Sequence, residues 1–451
     1  MNSRLPATPL DALSISGALR LAIKTIHTFA DIFGTWKRPS KNAAGDFEDM
    51  SLLDKIYWGY KSKKPILHPE KGHSKESLFN DSSPHPTLPG DFTPGSSVTF
   101  SAVGDLIKVN GLENSRDKLY ENVAELIFSR DISCANLESQ LTGQDTASYT
   151  FSDKETPPLC CTQEQYDALK GHKDKQYTLM QTACNHTMDM GMEGLETTLA
   201  QLEKDNITDL GTNRKPGEQQ QGRIIEKNGI KVGFVSATFG LNGKEIPEDK
   251  NYMVNVVKFH RKDPAGNAPD LSMLENQINF CKEKKCDIII ASLHWGYEYE
   301  FFPRKEQIDM AHAIVEKGVD IIVSQHAHVI QPMEFYRPQR DRDRTAVICY
   351  SLGNVTSSFS APQLVLSGIL NLSISRGTVN GKEKTFIHDV RLIPIVQREK
   401  GSDDAPVIQL ETLETFSQQK GNNKSETDYI NAVEKYANLV WDLDSHDTGS
   451  R

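Results

Sequence analysis

The sequence predicts an α/β fold built on buried parallel strands, and three observations predict it. Five apolar runs of strand length, VTFSAV (98–103), ISCA (132–135), YTLMQTAC (177–184), DIIIASL (287–293) and DIIVSQ (320–325), read as strands covered on both faces. Helical segments at 115–129, 192–204, 271–285 and 304–317 alternate with them, as α/β architecture expects. Each apolar run also ends in a short polar cluster: Gly104-Asp105; Asn136-Leu137-Glu138; Asn185-His186 with Asp189; His294-Trp295-Gly296 with Glu298; and His326-Ala327-His328. In open α/β sheets ligands bind beyond the carboxyl ends of the strands, so five such clusters converge on one edge.

In chain order, the first element is residues 13–34, LSISGALRLAIKTIHTFADIFG. Ile15, Leu19, Ala22, Ile26, Phe29 and Phe33 recur at spacings of three or four, the apolar face of a helix. Arg20, Lys24 and Asp31 disqualify it as a membrane span, and the chain start lacks the basic region and compact apolar core of a secretory signal. The expected role is docking onto the protein itself or a second subunit; the alternative is peripheral attachment to a membrane or a complex. A stretch rich in Ser, Pro, His and Lys, about 61–97, reads as a linker or wrapped arm, making residues 1–95 an extension. Residues 96–398 form the α/β domain. Its last part, VLSGILNLSI and TFIHDVRLIPIV, alternates with period two around a turn near Gly377 and Gly381, an antiparallel pair. Residues 399–451 read as a polar tail with one helix near 426–442. There is no internal repeat and no Walker or dinucleotide glycine loop.

A net charge of −10 excludes a broad nucleic-acid surface, which needs clustered Lys and Arg. The local exception, Arg337, Arg340, Arg342 and Arg344 with Asp341 and Asp343, reads first as a solvated loop and second as a contact for an anionic substrate. Seven cysteines form no paired framework and no zinc spacing. That usage suits a reducing compartment, hence an expected cytoplasmic location, with peripheral contact at the cytoplasmic membrane as the variant the helix allows.

Singly, each polar cluster is more often turn chemistry or a packed histidine. Jointly they offer carboxylate, amide and imidazole donors without thiolate, a set suited to one or two divalent ions such as Mn²⁺, Zn²⁺, Fe²⁺ or Mg²⁺. Asp189, three residues beyond His186, is placed to orient it. Glu298 is a candidate general base or a partner fixing a histidine tautomer. Trp295, with Tyr297 and Tyr299, offers an aromatic wall for substrate or simple packing, and Asn354 at the end of YSLGN offers a contact to substrate or to a ligand histidine. His172, His260, His312 and His388 fit no cluster.

The ordered set GDL, ANLE, NHTMDMGMEGL, HWGYEY, QHAHVIQP and YSLGN, spanning about 98–398, resembles the CapA-type family linked to poly-γ-glutamate capsules, within the calcineurin-like metallophosphoesterases. The resemblance implies a four-layer αββα sandwich. It implies Asp105 as a first-metal ligand, Glu138 as a bridging carboxylate, Asn185, His294 and His326 on the second metal, His328 returning to the first, and His186 as general acid. Where the superfamily commonly has a histidine two residues after the first aspartate, this chain has Ile107, which leaves the first metal position short of a ligand. The implied function is metal-dependent hydrolysis of a phosphoester or of a glutamate-type amide in capsule biosynthesis. The alternatives are epimerisation of a peptide, or a non-catalytic accessory that binds an anionic polymer in a synthesis or export complex.

Overall fold

The five apolar runs become strands of two sheets in a computed structural model that describes residues 4–41, 43–79, 84–142, 157–260, 268–402, 404–419, 421 and 423–441. They are β1 (Thr93–Leu106), β2 (Ile132–Leu137), β3 (Leu179–Gln181), β4 (Ile288–His294) and β5 (Ile321–Gln325). β1, β2, β3 and Thr208–Leu210 run parallel in the first sheet, which continues past β1 through the antiparallel strands Leu366–Val379, Lys382–Ser402 and Ala405–Thr412. The second sheet runs Met333–Tyr336, Ala346–Cys349, β5, β4, Ile230–Thr238 and Arg223–Lys227, with its four central strands parallel.

The sheets face each other through alternate residues. Phe100, Ala102, Cys134 and Leu179 of the first meet Phe234, Ile290, Val323 and Val347 of the second. The opposite faces are covered by helices: Ala124–Phe128 and Gln163–Leu169 outside the first sheet, Ser272–Glu283 and Lys305–Lys317 outside the second. The result is an αββα sandwich, and burial on both faces is why the strands read as unbroken apolar runs.

Two segments differ from expectation. Only Ala124–Phe128 of the predicted 115–129 helix is helical. Ahead of it, Asp117 has φ +59°, the Ser115 hydroxyl accepts from Ile408 N at 2.8 Å, and Leu119 O accepts from Leu410 N at 2.8 Å, so an edge strand overrides local helix preference. The polar tail supplies that edge strand, Ala405–Thr412, before the helix Lys424–Trp441; residue 442 lies outside the described residues. Its polarity conceals one apolar stripe, Ile430, Val433, Ala437, Val440 and Trp441, packed into the core.

The expected N-terminal helix forms as α1 (Gly17–Phe33), capped by the Ser16 hydroxyl accepting from Leu19 N and ended by Gly34 at φ +64°. It docks on α2 (Leu52–Lys63): His27 Nε2 lies 3.1 Å from Ile56 O, and the Tyr60 hydroxyl donates to Asp31 at 2.8 Å. Among the described residues no helix is long and apolar enough to cross a membrane.

Gly104 shows how tightly the strand ends are set. A Cβ there would lie 1.8 Å from the Gly353 carbonyl oxygen, which accepts Asp105 N at 3.0 Å. Gly104→Ala is expected to lower stability by about 3 kcal/mol, the upper range of overpacking, because backbone rather than a flexible side chain must move. A shift in urea midpoint checks it; an unchanged midpoint would contradict the close approach.

Candidate metal centre

Parallel pairing brings the clusters to one edge. In the first sheet Asp105 is in register with Asn136 on one side and Asn354 on the other; in the second, His294 is in register with Thr238 and Gln325. The five strand ends therefore meet across the gap between the sheets.

Glu138 occupies the middle. Its Oε1 lies 3.9 Å from His186 Nε2, 3.9 Å from His294 Nε2 and 3.8 Å from His328 Nε2. The side chain is fully buried, yet neither carboxylate oxygen has a hydrogen-bond partner. His326 is 2 % exposed, and both its ring nitrogens also lack partners. Leaving such groups unsatisfied costs roughly 1–3 kcal/mol apiece and more for a charge. A buried carboxylate with both oxygens unpartnered, faced by imidazoles, fits a cation. Donor atoms of Asp105, Glu138 and His328 all lie within 4.8 Å of one another.

The neighbours of these residues orient them. Asn136 Nδ2 donates to Asp105 Oδ1 at 2.7 Å and sits 3.3 Å from His294 Nδ1. Asn185 Oδ1 is 2.8 Å from His294 Nε2, and its amide donates to Asn242 Oδ1 at 3.2 Å. His328 Nδ1 is 2.9 Å from Asn354 Oδ1, so a proton held there leaves Nε2 facing Glu138. His186 Nδ1 is 2.6 Å from Asp189 Oδ2, which also accepts Leu159 N at 2.8 Å. His326 and His328 have φ of +92° and +56°, uncommon backbone for residues other than glycine and a form of strain that collects at functional sites.

The electrostatics follow from burial and proximity. Burial, reinforced by the Glu138 charge, pushes the Asp105 carboxyl up to about 8. Burial holds the imidazoles of His294 and His326 well below their usual value, so both are neutral near pH 7, the form that binds a metal. At His328 burial opposes protonation, but Glu138, Glu298 and Asp105 outweigh it and push the imidazole up to about 10. At His186 burial likewise opposes, and Asp189 turns the balance upward.

Of the expected site residues, Asp105, Glu138, Asn185, His186, Asp189, His294, His326, His328 and Asn354 come together. Glu298 stands at the margin, 3.5 Å from His328 Nε2 and bound by the Trp58 indole N–H. Trp295 does not join them. It directly follows His294, so it projects to the opposite face, is fully buried against Phe259, and donates to the Ser324 hydroxyl at 2.8 Å. Of the anticipated aromatic wall, Tyr299 reaches the centre, its ring 5.9 Å from that of His328, while Tyr297 donates to Glu306. The arginine loop is spent elsewhere: Arg340 and Arg344 bind Asp320 at 2.8 and 2.9 Å, at the amino end of β5. His260, outside every cluster, accepts Gly296 N at 2.8 Å and fixes the turn after His294.

The centre opens into a chamber of about 520 Å³. Asn185, His186, His326, His328 and Asn354 form part of its floor, and α1, α2, Leu10, Leu13, Ile15, Phe47 and Met50 form its roof.

A family model described as "Bacterial capsule synthesis protein PGA_cap" matches residues 90–358. The chain is 29 % identical over 263 residues to "PGA biosynthesis protein CapA" of Bacillus subtilis, covering 57 % of this chain and 62 % of that one. It is 25 % identical over 265 residues to "Capsule biosynthesis protein CapA" of Bacillus anthracis, covering 57 % and 59 %. It is 24 % identical over 239 residues to a "Probable polyglutamine synthesis accessory protein" of Mycobacterium tuberculosis, covering 51 % and 56 %. The chain thus spans about three-fifths of the length of these curated relatives.

Proposed function

We propose that this chain, which belongs to the bacterial capsule synthesis family PGA_cap, is a metal-dependent hydrolase acting on a phosphoester or a glutamate-type amide in capsule biosynthesis. The observation that carries the reading is Glu138, buried and unpaired, with three imidazole nitrogens 3.8–3.9 Å from one of its oxygens. Asp105, Glu138 and His328 would hold one divalent ion; Glu138, Asn185, His294 and His326 would hold a second. A bound ion would lower the pKa of a water molecule and polarise a substrate oxygen. Asp189 holds the His186 ring by Nδ1 and leaves Nε2 facing the centre, so His186 supplies the proton to the leaving group. Asn354 fixes the tautomer of His328, and Asn136 spaces Asp105 from His294.

The test is metal content of the purified chain, followed by turnover of an aryl phosphate and of a γ-glutamyl amide with and without Mn²⁺. His186→Ala is expected to retain metal while kcat falls about 10²–10⁴-fold, the usual contribution of a positioned acid. Metal bound without turnover of either substrate would sink the hydrolase reading. It would favour an accessory role, a reading that Ile107 supports: buried at the place of a metal-ligand histidine, it lines the chamber with hydrocarbon.

A further inference from the structure

The chamber above the metal centre is lined by hydrocarbon to a degree that a hydrolase of a bare anionic polymer does not require. Its roof carries Leu10, Leu13, Ile15, Leu19, Ile23 and Ile26 from the N-terminal extension. Its floor adds Ile107 and Leu364 beside the polar cluster. The apolar lining is continuous with the outside. Leu19 and Ile26 line the chamber yet remain 41 % and 38 % exposed, and Leu52 lines it while 74 % exposed. Next to them Leu21, Phe29, Ile32, Phe33 and Leu53 are open to solvent. An apolar path therefore leads from the surface to a cluster built to hold cations. A polyglutamate chain carries a carboxylate on every residue and matches such walls poorly; a molecule with a charged head and a hydrocarbon tail matches both ends.

We infer that the ligand of this site is an amphiphile whose anionic head, a phosphate ester, meets the metal centre while its hydrocarbon tail fills the chamber under α1. The inference rests on the metal-centre reading for the head and on the apolar lining for the tail. α1 is the chamber's wall. It is fastened along its C-terminal half, where His27, Ala30 and Asp31 contact α2 and its aromatic cluster, while Leu19, Ala22, Ile23 and Ile26 ahead of them line the chamber.

The experiment is calorimetric titration of the full chain, loaded with Mn²⁺, with methyl, butyl, hexyl, octyl and decyl phosphate below their micelle concentrations. Affinity is expected to rise about fourfold per added methylene, corresponding to the ~0.8 kcal/mol of burying one CH₂, until the chamber is full. Ile23→Asp is expected to flatten the series. Ile23→Trp, which fills space without adding charge, is expected to end the rise at a shorter chain. Metal content of both variants, measured by mass spectrometry, reports whether the centre is intact. Equal binding of all chain lengths, abolished by chelator, would overturn the tail assignment and leave the metal reading standing. A chain-length series that is unchanged by chelator, with decanol bound as well as decyl phosphate, would overturn the head assignment. No binding by a metal-loaded chain would overturn the inference as a whole.

Discussion

Replacing Glu138 by glutamine is expected to abolish metal-induced stabilisation while leaving the metal-free protein at least as stable as the parent. Both halves follow from one feature: a fully buried carboxylate with neither oxygen bonded. Burial pushes its pKa up and outweighs the opposing His328 and His186 imidazoles, the signature of a charge that burial disfavours. The amide removes that charge at nearly constant shape, so the apo form sheds the part of the burial cost that belongs to the charge, on the order of 1 kcal/mol. The same change removes the donor that both proposed metal positions would share. With the parent, Mn²⁺ at a hundred times its Kd is expected to add about 2.7 kcal/mol. With Glu138→Gln that increment vanishes. Thermal unfolding of both proteins, with chelator and with Mn²⁺, reads both effects. Parent metal stoichiometry in the variant would refute the centre; a metal-free variant markedly less stable than the metal-free parent would show that Glu138 is structural.

The meeting of the strand-end clusters was legible because its signal is one-dimensional: in parallel strands the residue just past an apolar run lies at the carboxyl edge. Asp105, Glu138, His294, His326 and His328 all obey that rule. Trp295 lies outside the cluster because side chains alternate across a strand, and the residue next to His294 faces away from it. Asn136 was visible as part of a cluster, but its role depends on register with Asp105, which a single strand does not encode. His260 and Asn242 arrive from a loop, where no periodicity marks them. The apolar stripe of α1 was equally plain. What it faces was not, because that depends on contacts between residues far apart in sequence. The closing strand Ala405–Thr412 was hidden by a polar composition, because it buries Gln409 and Glu411 along with Ile408 and Leu410 and so its burial does not follow residue polarity.

The largest of those distant contacts yields the other expected result: Glu300→Ala is expected to destabilise the protein by about 3–5 kcal/mol, the cost of stranding buried cations. Glu300 is 1 % exposed and accepts from Arg304 Nε at 3.0 Å, Arg304 Nη2 at 2.9 Å, Lys61 Nζ at 3.3 Å and the Tyr57 hydroxyl at 3.3 Å. Lys61 and Tyr57 lie on α2, so this carboxylate fastens the chamber's roof to the sandwich. Burial alone would raise its pKa, but Arg304 and Lys61 outweigh burial and hold it at about 2. Burial also depresses the Lys61 ammonium, which leaves the forked Arg304 guanidinium as the principal counter-charge. The sign for pH follows. A depressed folded pKa contributes stability that is complete above the unfolded value of about 4.3 and lost as pH falls through the folded value. The gap between parent and variant in urea midpoint is therefore widest at neutral pH and narrows between about pH 4 and 2. Adding Lys61→Met to Glu300→Ala is expected to recover part of the loss, since one stranded cation is removed. Early proteolytic cleavage within residues 4–63 of the single variant reports release of the roof. A variant with the parent's midpoint and cleavage pattern would show that the extension is held by its apolar contacts instead.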